Sequence, residues 1–119
     1  MKNQRGDVVL LDYPFSDSSG TKVRPAVVVQ SNQRNAALTN TIVALITKNL
    51  QRVGIDPTQI LVDLATLEGR QTGLHINSAI TCGNLYTIHE RHILKTIGHL
   101  APNMLQQVGA GVKLALDLI

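Results

Sequence analysis

The sequence predicts a mainly β domain with a C-terminal α-helix: a small, strongly bent antiparallel sheet or barrel that the helix closes on one side. Three observations predict it. Apolar runs rich in β-branched residues recur at residues 8–11, 26–29 and 41–47, each too short and too branched for a helix. Polar stretches containing Gly, Pro, Ser and Asn separate them, the composition of turns and loops. Near the C-terminus the period changes, and Leu105, Val108, Val112, Ala115, Leu116 and Ile119 recur at helical spacing.

A chain of 119 residues makes a single domain, 1–119, with one modest core. Hydrophobic residues at 44% and charged ones at 16% exclude a disordered chain. The net charge of +3 is compatible with nucleic acid but too small to demonstrate such a partner. Cys82 is the only cysteine, which removes a disulfide framework and a cysteine metal site. No signal peptide or apolar run of membrane length is present, so the expected location is the cytoplasm, with no membrane partner.

Taken in order, the first strand is residues 8–11, entered through Arg5-Gly6-Asp7 and closed by Asp12-Tyr13-Pro14. Residues 15–23 form a loop rich in Ser, Asp, Gly, Thr and Lys, whose donors suit either water or a phosphate chain. The second strand runs from Pro25 to about Gln30; its Ala26-Val27-Val28-Val29 run shows no polar alternation, so it is buried on both faces and central. Arg24 precedes a proline, which confines its backbone to the extended region. Its guanidinium therefore leaves a rigid strand end. Residues 31–40 have room for one helical turn before a third strand at 41–47. If these two strands pair antiparallel with Gln30 opposite Thr41, Arg24 falls opposite Thr47 on the same face, about 5 Å away at Cβ. A slip of one residue would send the two side chains to opposite faces.

Beyond this pair, Gly54 and Pro57 break any helix, residues 59–62 read as a weak strand, and Gly69 ends any helical turn carrying Leu64 and Leu67. Residues 76–82, 86–88 and 93–97 read as further pieces of sheet. The terminal helix has Pro102 in its first turn. Its Gly109 and Gly111 each cost about 1 kcal/mol relative to alanine, so tertiary packing, or a close neighbour that needs small residues, must hold it.

Several catalytic classes have no support. A glycine-rich phosphate loop, a dinucleotide fingerprint, a His-Glu-x-x-His helix and Gly-x-Ser-x-Gly are all absent. His89-Glu90-Arg91-His92 lacks the other ligands zinc needs and reads as a surface turn. No metal or cofactor is expected. What remains is a cluster of Arg24, Lys22, Thr47 and Lys48 beneath the loop that carries Ser19 and Thr21. A guanidinium grips two phosphate oxygens, and a hydroxyl adds a further donor as charge builds during reaction. Such a group set suits RNA cleavage without metal, because the ribose 2′-hydroxyl supplies the nucleophile. The protein then provides a proton acceptor, a proton donor and a stabiliser of the phosphorane. Arg24, always protonated, fits the last two roles. His75, beside a glycine-containing turn and near Asn77 and Ser78, reads either as a half-exposed loop histidine or as an acid or base.

The segments Arg5-Gly6-Asp7-Val8-Val9, Val23-Arg24-Pro25-Ala26-Val27-Val28-Val29, Ile42-Val43-Ala44-Leu45-Ile46-Thr47, Asn77-Ser78-Ala79-Ile80 and Ile97-Gly98-His99-Leu100 together resemble the MazF/PemK toxin family. They occur in the family's order and span nearly the whole chain. The resemblance implies a homodimer of compact SH3-like, PemK-type barrels, acting as the toxin of a type II toxin-antitoxin system. The implied activity is a metal-independent, sequence-specific endoribonuclease that cleaves single-stranded RNA. The implied partner is a cognate antitoxin whose flexible acidic tail occupies the RNA groove. The family's catalytic arginine and threonine fall on Arg24 and Thr47; the candidate RNA contacts are Ser19, Thr21, Lys22, Lys48, His75, Asn77, Ser78 and Asn84. Three features depart from the family pattern: Gly83-Asn84-Leu85-Tyr86 follows the Ser78 segment, Ala101, which has no capping side chain, precedes Pro102, and His75 has no family counterpart. A gyrase-poisoning toxin of the CcdB type is the alternative with the same fold. The terminal Trp-Gly-Ile of the CcdB toxins is replaced here by Leu116-Asp117-Leu118-Ile119, which weighs against that alternative. The other alternative, a noncatalytic nucleic-acid-binding module, would have only Tyr13, Phe15 and Tyr86 for base stacking.

Overall fold

The computed structural model describes residues 1–12 and 22–118. In chain order they form β1 (Asp7–Leu11), β2 (Arg24–Val28), α1 (Asn32–Ala37), β3 (Asn40–Thr47), β4 (Gln59–Val62), α2 (Leu67–Gln71), β5 (Ser78–His89), a 3-10 turn (Glu90–His92), β6 (Ile93–His99) and α3 (Pro102–Ala115). The strands make one antiparallel sheet in the order β4-β5-β3-β2-β1-β6. The unalternating run after Arg24 is therefore central, and Ala26, Val27 and Val28 are all fully buried.

Strand periodicity divides the apolar residues between two faces. Val8, Val27, Ala44 and Ile46 join Ile80, Val62 and Leu100 in one core, which α3 covers with Met104 and Val108. Val9, Leu11, Ala26, Val28 and Val43 form the other with Ile88. Pro25 is tolerated in a central strand because it sits near the strand's start: the β2–β3 ladder begins only at Ala26, opposite Leu45.

The connection between β2 and β3 is held by buried polar side chains. Asn35 of α1 is 1% exposed. Its Oδ1 accepts from Gln30 Nε2 at 2.9 Å and from Thr41 Oγ1 at 2.8 Å, while its Nδ2 donates to the Gln30 carbonyl. Gln30 Nε2 also donates to the Asn40 carbonyl. Ser31 caps α1 by accepting from the Arg34 N–H.

Closure into a barrel does not occur: β4 and β6 remain edges with no ladder between them. The chain after α2 crosses β6 instead. A Cβ added to Gly73 would stand 1.9 Å from the Ile97 carbonyl oxygen, and one on Gly98 would stand 2.3 Å from the Thr72 carbonyl. Gly73 has φ +75°, outside the extended region, so the segment packs against β6 without joining its ladder.

Three other expectations change. Gly69 lies inside α2 rather than ending it, because the helix presses on the Asp63 carbonyl and a Cβ there would come within 1.9 Å of its oxygen. The pieces read at 76–82 and 86–88 are one strand, β5, whose register against β3 jumps between Ala44–Leu85 and Ile46–Ile80. Gly83 and Asn84 occupy that bulge, and Thr81 Oγ1 donates to the Leu45 carbonyl at 2.6 Å. On α3 the buried line is Met104, Val108 and Gly111, whereas Ala115 and Leu116 are exposed. Gly111 turns that face inward, since a Cβ there would stand 2.7 Å from Cys82 Sγ. Burial, with some help from the Asp56 charge, pushes the Cys82 thiol up to about 11. As the sequence indicates, α3 opens on Ala101 without a side-chain cap.

The three glycine environments predict a graded stability series. Gly54→Ala, with φ +82° and nothing within 4 Å, should cost about 1 kcal/mol. Gly98→Ala should cost about 3 kcal/mol through overpacking alone, and Gly73→Ala, which combines both penalties, more than either. Urea midpoints check the order. Asn35→Ala, which strands buried partners at Gln30 and Thr41, should lower stability by about 3 kcal/mol in the same measurement.

Candidate functional site

A cleft of about 890 Å³ opens where the ends of β2 and β3 meet β6 and the segment after α2. Its geometry starts with strand register. Val28 pairs with Val43, Val27 with Ala44 and Ala26 with Leu45. Continued for two residues, this register sets Arg24 opposite Thr47, on the face that carries Ala26 and Leu45. At the opposite end the Val29 and Gln30 N–H groups both donate to the Ile42 carbonyl, which ends the ladder there. On its other side Arg24 pairs with Leu11 of β1, so the arginine leaves the sheet from between two strands.

Arg24 and Thr47 are both half-buried and both line the cleft. The Thr47 hydroxyl oxygen accepts the Asn49 N–H at 3.1 Å. That bond positions the oxygen at the strand end and leaves its own proton available for donation. Lys22 and Lys48, grouped with Arg24 and Thr47 in the sequence, line the same cleft, and so do His75, Ser78 and Asn84. Ser78 is nearly buried, and its hydroxyl donates to the Ile76 carbonyl. Asn77 is not part of the lining; its Oδ1 accepts the Leu64 N–H at 2.8 Å and fastens the entry to α2. Ser19 and Thr21 lie outside the described residues, as do Tyr13 and Phe15. Tyr86 packs against the second core, away from the cleft.

Lys95 is a lining residue that sequence reasoning missed. Its signal was the charge that interrupts the apolar run Ile93-Leu94-Lys95-Thr96-Ile97. Among the described lining residues there are four permanent cations, Lys22, Arg24, Lys48 and Lys95, and no carboxylate. Described carboxylates are engaged elsewhere: Asp7 with His99, Asp12 with His92, and Asp56 with Thr58, whose hydrogen bonds hold its carboxyl below the usual carboxylate range. A modest overall charge is thus locally segregated, and the cleft suits an anionic chain. Arg24 can grip a phosphate through two parallel N–H bonds, and Thr47 adds a hydroxyl donor. Among the described residues, no three of His, Cys, Asp and Glu come together as a metal would require. His89 precedes the 3-10 turn that His92 ends, and His89 Nδ1 accepts the Arg91 N–H.

A family model described as "PemK-like, MazF-like toxin of type II toxin-antitoxin system" matches residues 4–116. Endoribonuclease EndoA of Bacillus subtilis (strain 168) is 30% identical over 117 residues, covering 98% of this chain and 96% of that protein. Endoribonuclease MazF9 of Mycobacterium tuberculosis is 30% identical over 121 residues, covering 97% of each. A solved endoribonuclease in complex with its cognate antitoxin, from a mycobacterial species, superposes with a TM-score of 0.78. It is 17% identical, with 98% of this chain and 97% of that chain covered, a similarity of fold.

Proposed function

The chain belongs to the PemK-like, MazF-like toxins of type II toxin-antitoxin systems, and on that premise we propose that it is an endoribonuclease that cuts single-stranded RNA at a phosphodiester held by Arg24 and Thr47. The observation that supports this reading is the β2–β3 register, which sets these two residues side by side in a cleft whose described charges are all positive. The reaction asks little covalent chemistry of the protein. The ribose O2′ attacks the adjacent phosphorus, a phosphorane forms, and O5′ departs to leave a 2′,3′-cyclic phosphate. Arg24 opposes the charge that builds on the equatorial oxygens, and the Thr47 hydroxyl adds a donor there. Lys22, Lys48 and Lys95 hold flanking phosphates and make binding salt-dependent. Asn84, on the β5 bulge, sits where a base edge can be read, whereas the Ser78 hydroxyl is spent on the Ile76 carbonyl.

The same cationic cleft suits the flexible acidic tail of a cognate antitoxin, which would compete with RNA for it. The toxin works in the cytoplasm, where its RNA substrate is found; no described helix is long and apolar enough to cross a membrane. It acts as a homodimer, and Leu114, Leu116 and Leu118, each more than half exposed at the end of α3, supply apolar surface for a second copy to cover.

Incubation of the refolded protein with a single-stranded RNA in EDTA should give discrete fragments ending in cyclic phosphate. Arg24→Ala and Thr47→Val should each slow cleavage by about 100-fold or more, and a 2′-deoxy nucleotide at the cut site should block it. RNA left intact by the wild-type protein would overturn the reading. Light scattering should return the mass of two chains, and Leu116→Asp should shift it toward one.

A further inference from the structure

Attack by a 2′-hydroxyl requires a group that takes its proton, and neither Arg24 nor Thr47 is suited to this. A guanidinium is protonated throughout the accessible range, and a neutral hydroxyl is too weak a base. The other cations that share the cleft are Lys22 ahead of β2, Lys48 after β3 and Lys95 on β6, and a lysine side chain is a donor rather than an acceptor. No carboxylate is present among the described lining residues. His75, on the segment between α2 and β5, is the one described lining side chain of a type that exchanges a proton near neutrality.

The histidines divide clearly by what they touch. His89 Nδ1 accepts the Arg91 N–H at 3.0 Å, His92 Nδ1 meets Asp12 at 3.2 Å, and His99 Nδ1 meets Asp7 at 2.9 Å. Both ring nitrogens of His75 are without a hydrogen bond or ion pair to any described residue. Its backbone is nevertheless well held. Gly73 is wedged on the Ile97 carbonyl, the Leu74 side chain packs on the first core, and the Leu74 N–H donates to Thr72 Oγ1. An exposed imidazole on an anchored segment that lines the same cleft as the arginine and threonine has the attributes of a reacting group.

We propose that His75 is the proton acceptor for the 2′-hydroxyl, an inference that rests on the endoribonuclease reading of this cleft. The neutral imidazole takes the O2′ proton as the O2′–P bond forms. The P–O5′ bond breaks with its electron pair moving to O5′, which takes a proton from water. The imidazolium then returns its proton to solvent, so the cycle closes with no external reactant.

The test is single-turnover cleavage of a single-stranded RNA from about pH 5 to about pH 9, with wild type, His75→Gln and His75→Ala. Wild-type rates should rise with pH and level off. His75→Gln should be slower by about 100-fold or more at the plateau and should lose the rise. Its affinity for a noncleavable 2′-deoxy substrate should stay within about threefold of wild type, and added imidazole should restore part of the His75→Ala rate. A His75→Gln rate within about threefold of wild type would overturn the proposal. So would a slower rate that keeps the wild-type pH profile, or a loss accounted for by weaker binding. Wild-type protein that cleaves no RNA overturns instead the reading beneath it.

Discussion

Asn35 accepts from Gln30 and Thr41 in the interior, and the placement of β2 against β3 depends on those bonds. The apolar pattern is a weak guide to register here, because both strands are buried on both faces. A slip of one residue exchanges one buried Val or Ala for another, so packing penalises the wrong alignment only mildly. The polar trio supplies the discrimination: misaligned, it leaves buried donors and acceptors unpaired, at about 1–3 kcal/mol for each. A strand rises about 3.3 Å per residue, so an alignment set at Gln30 is delivered about 20 Å away at Arg24. The polar end of the β2–β3 pair thus serves the end that carries Arg24 and Thr47 by leaving it no second arrangement.

A second constraint holds the opposite wall. Where the segment after α2 crosses β6, the backbones approach too closely for any side chain at Gly73 or Gly98. This contact joins the ends of an open sheet without hydrogen-bonding them into a barrel, and it carries His75 and Leu74 to the cleft. The two locks are independent: one is polar and local in sequence, the other steric and long-range.

That difference explains what could be read in advance. The register was legible because Gln30 and Thr41 are polar residues at the margins of apolar runs, and counting from them led to Arg24 and Thr47. The strand at 59–62 and the proline-started helix were legible from composition and period. The glycine crossing was not, since a glycine needed for space looks the same in sequence as one needed for a turn; Gly69 was misread for that reason. The face of α3 was legible at Leu105, Val108 and Val112, which pack on the first core, and at Gly111, which has its close neighbour in Cys82, but was misread at its end, where Ala115 and Leu116 are exposed. Lys95 and Asn77 show the same limit at the site. One charge belonged to the cleft and one amide did not, and only the folded path of β6 and of the loop at Leu64 separates them.

The pairing of β1 with β6, Asp7 opposite His99, joins strands far apart in sequence. A ribosome delivers the N-terminal strand first, and contacts of such long sequence separation form late. Arg24 and Thr47 therefore emerge early but stand in an incomplete wall, lacking the His75 segment and Lys95, until the last strand has been made. Until β6 takes its place beside β1, the cleft that Arg24 and Thr47 line is missing the wall that carries Lys95 and Ile97.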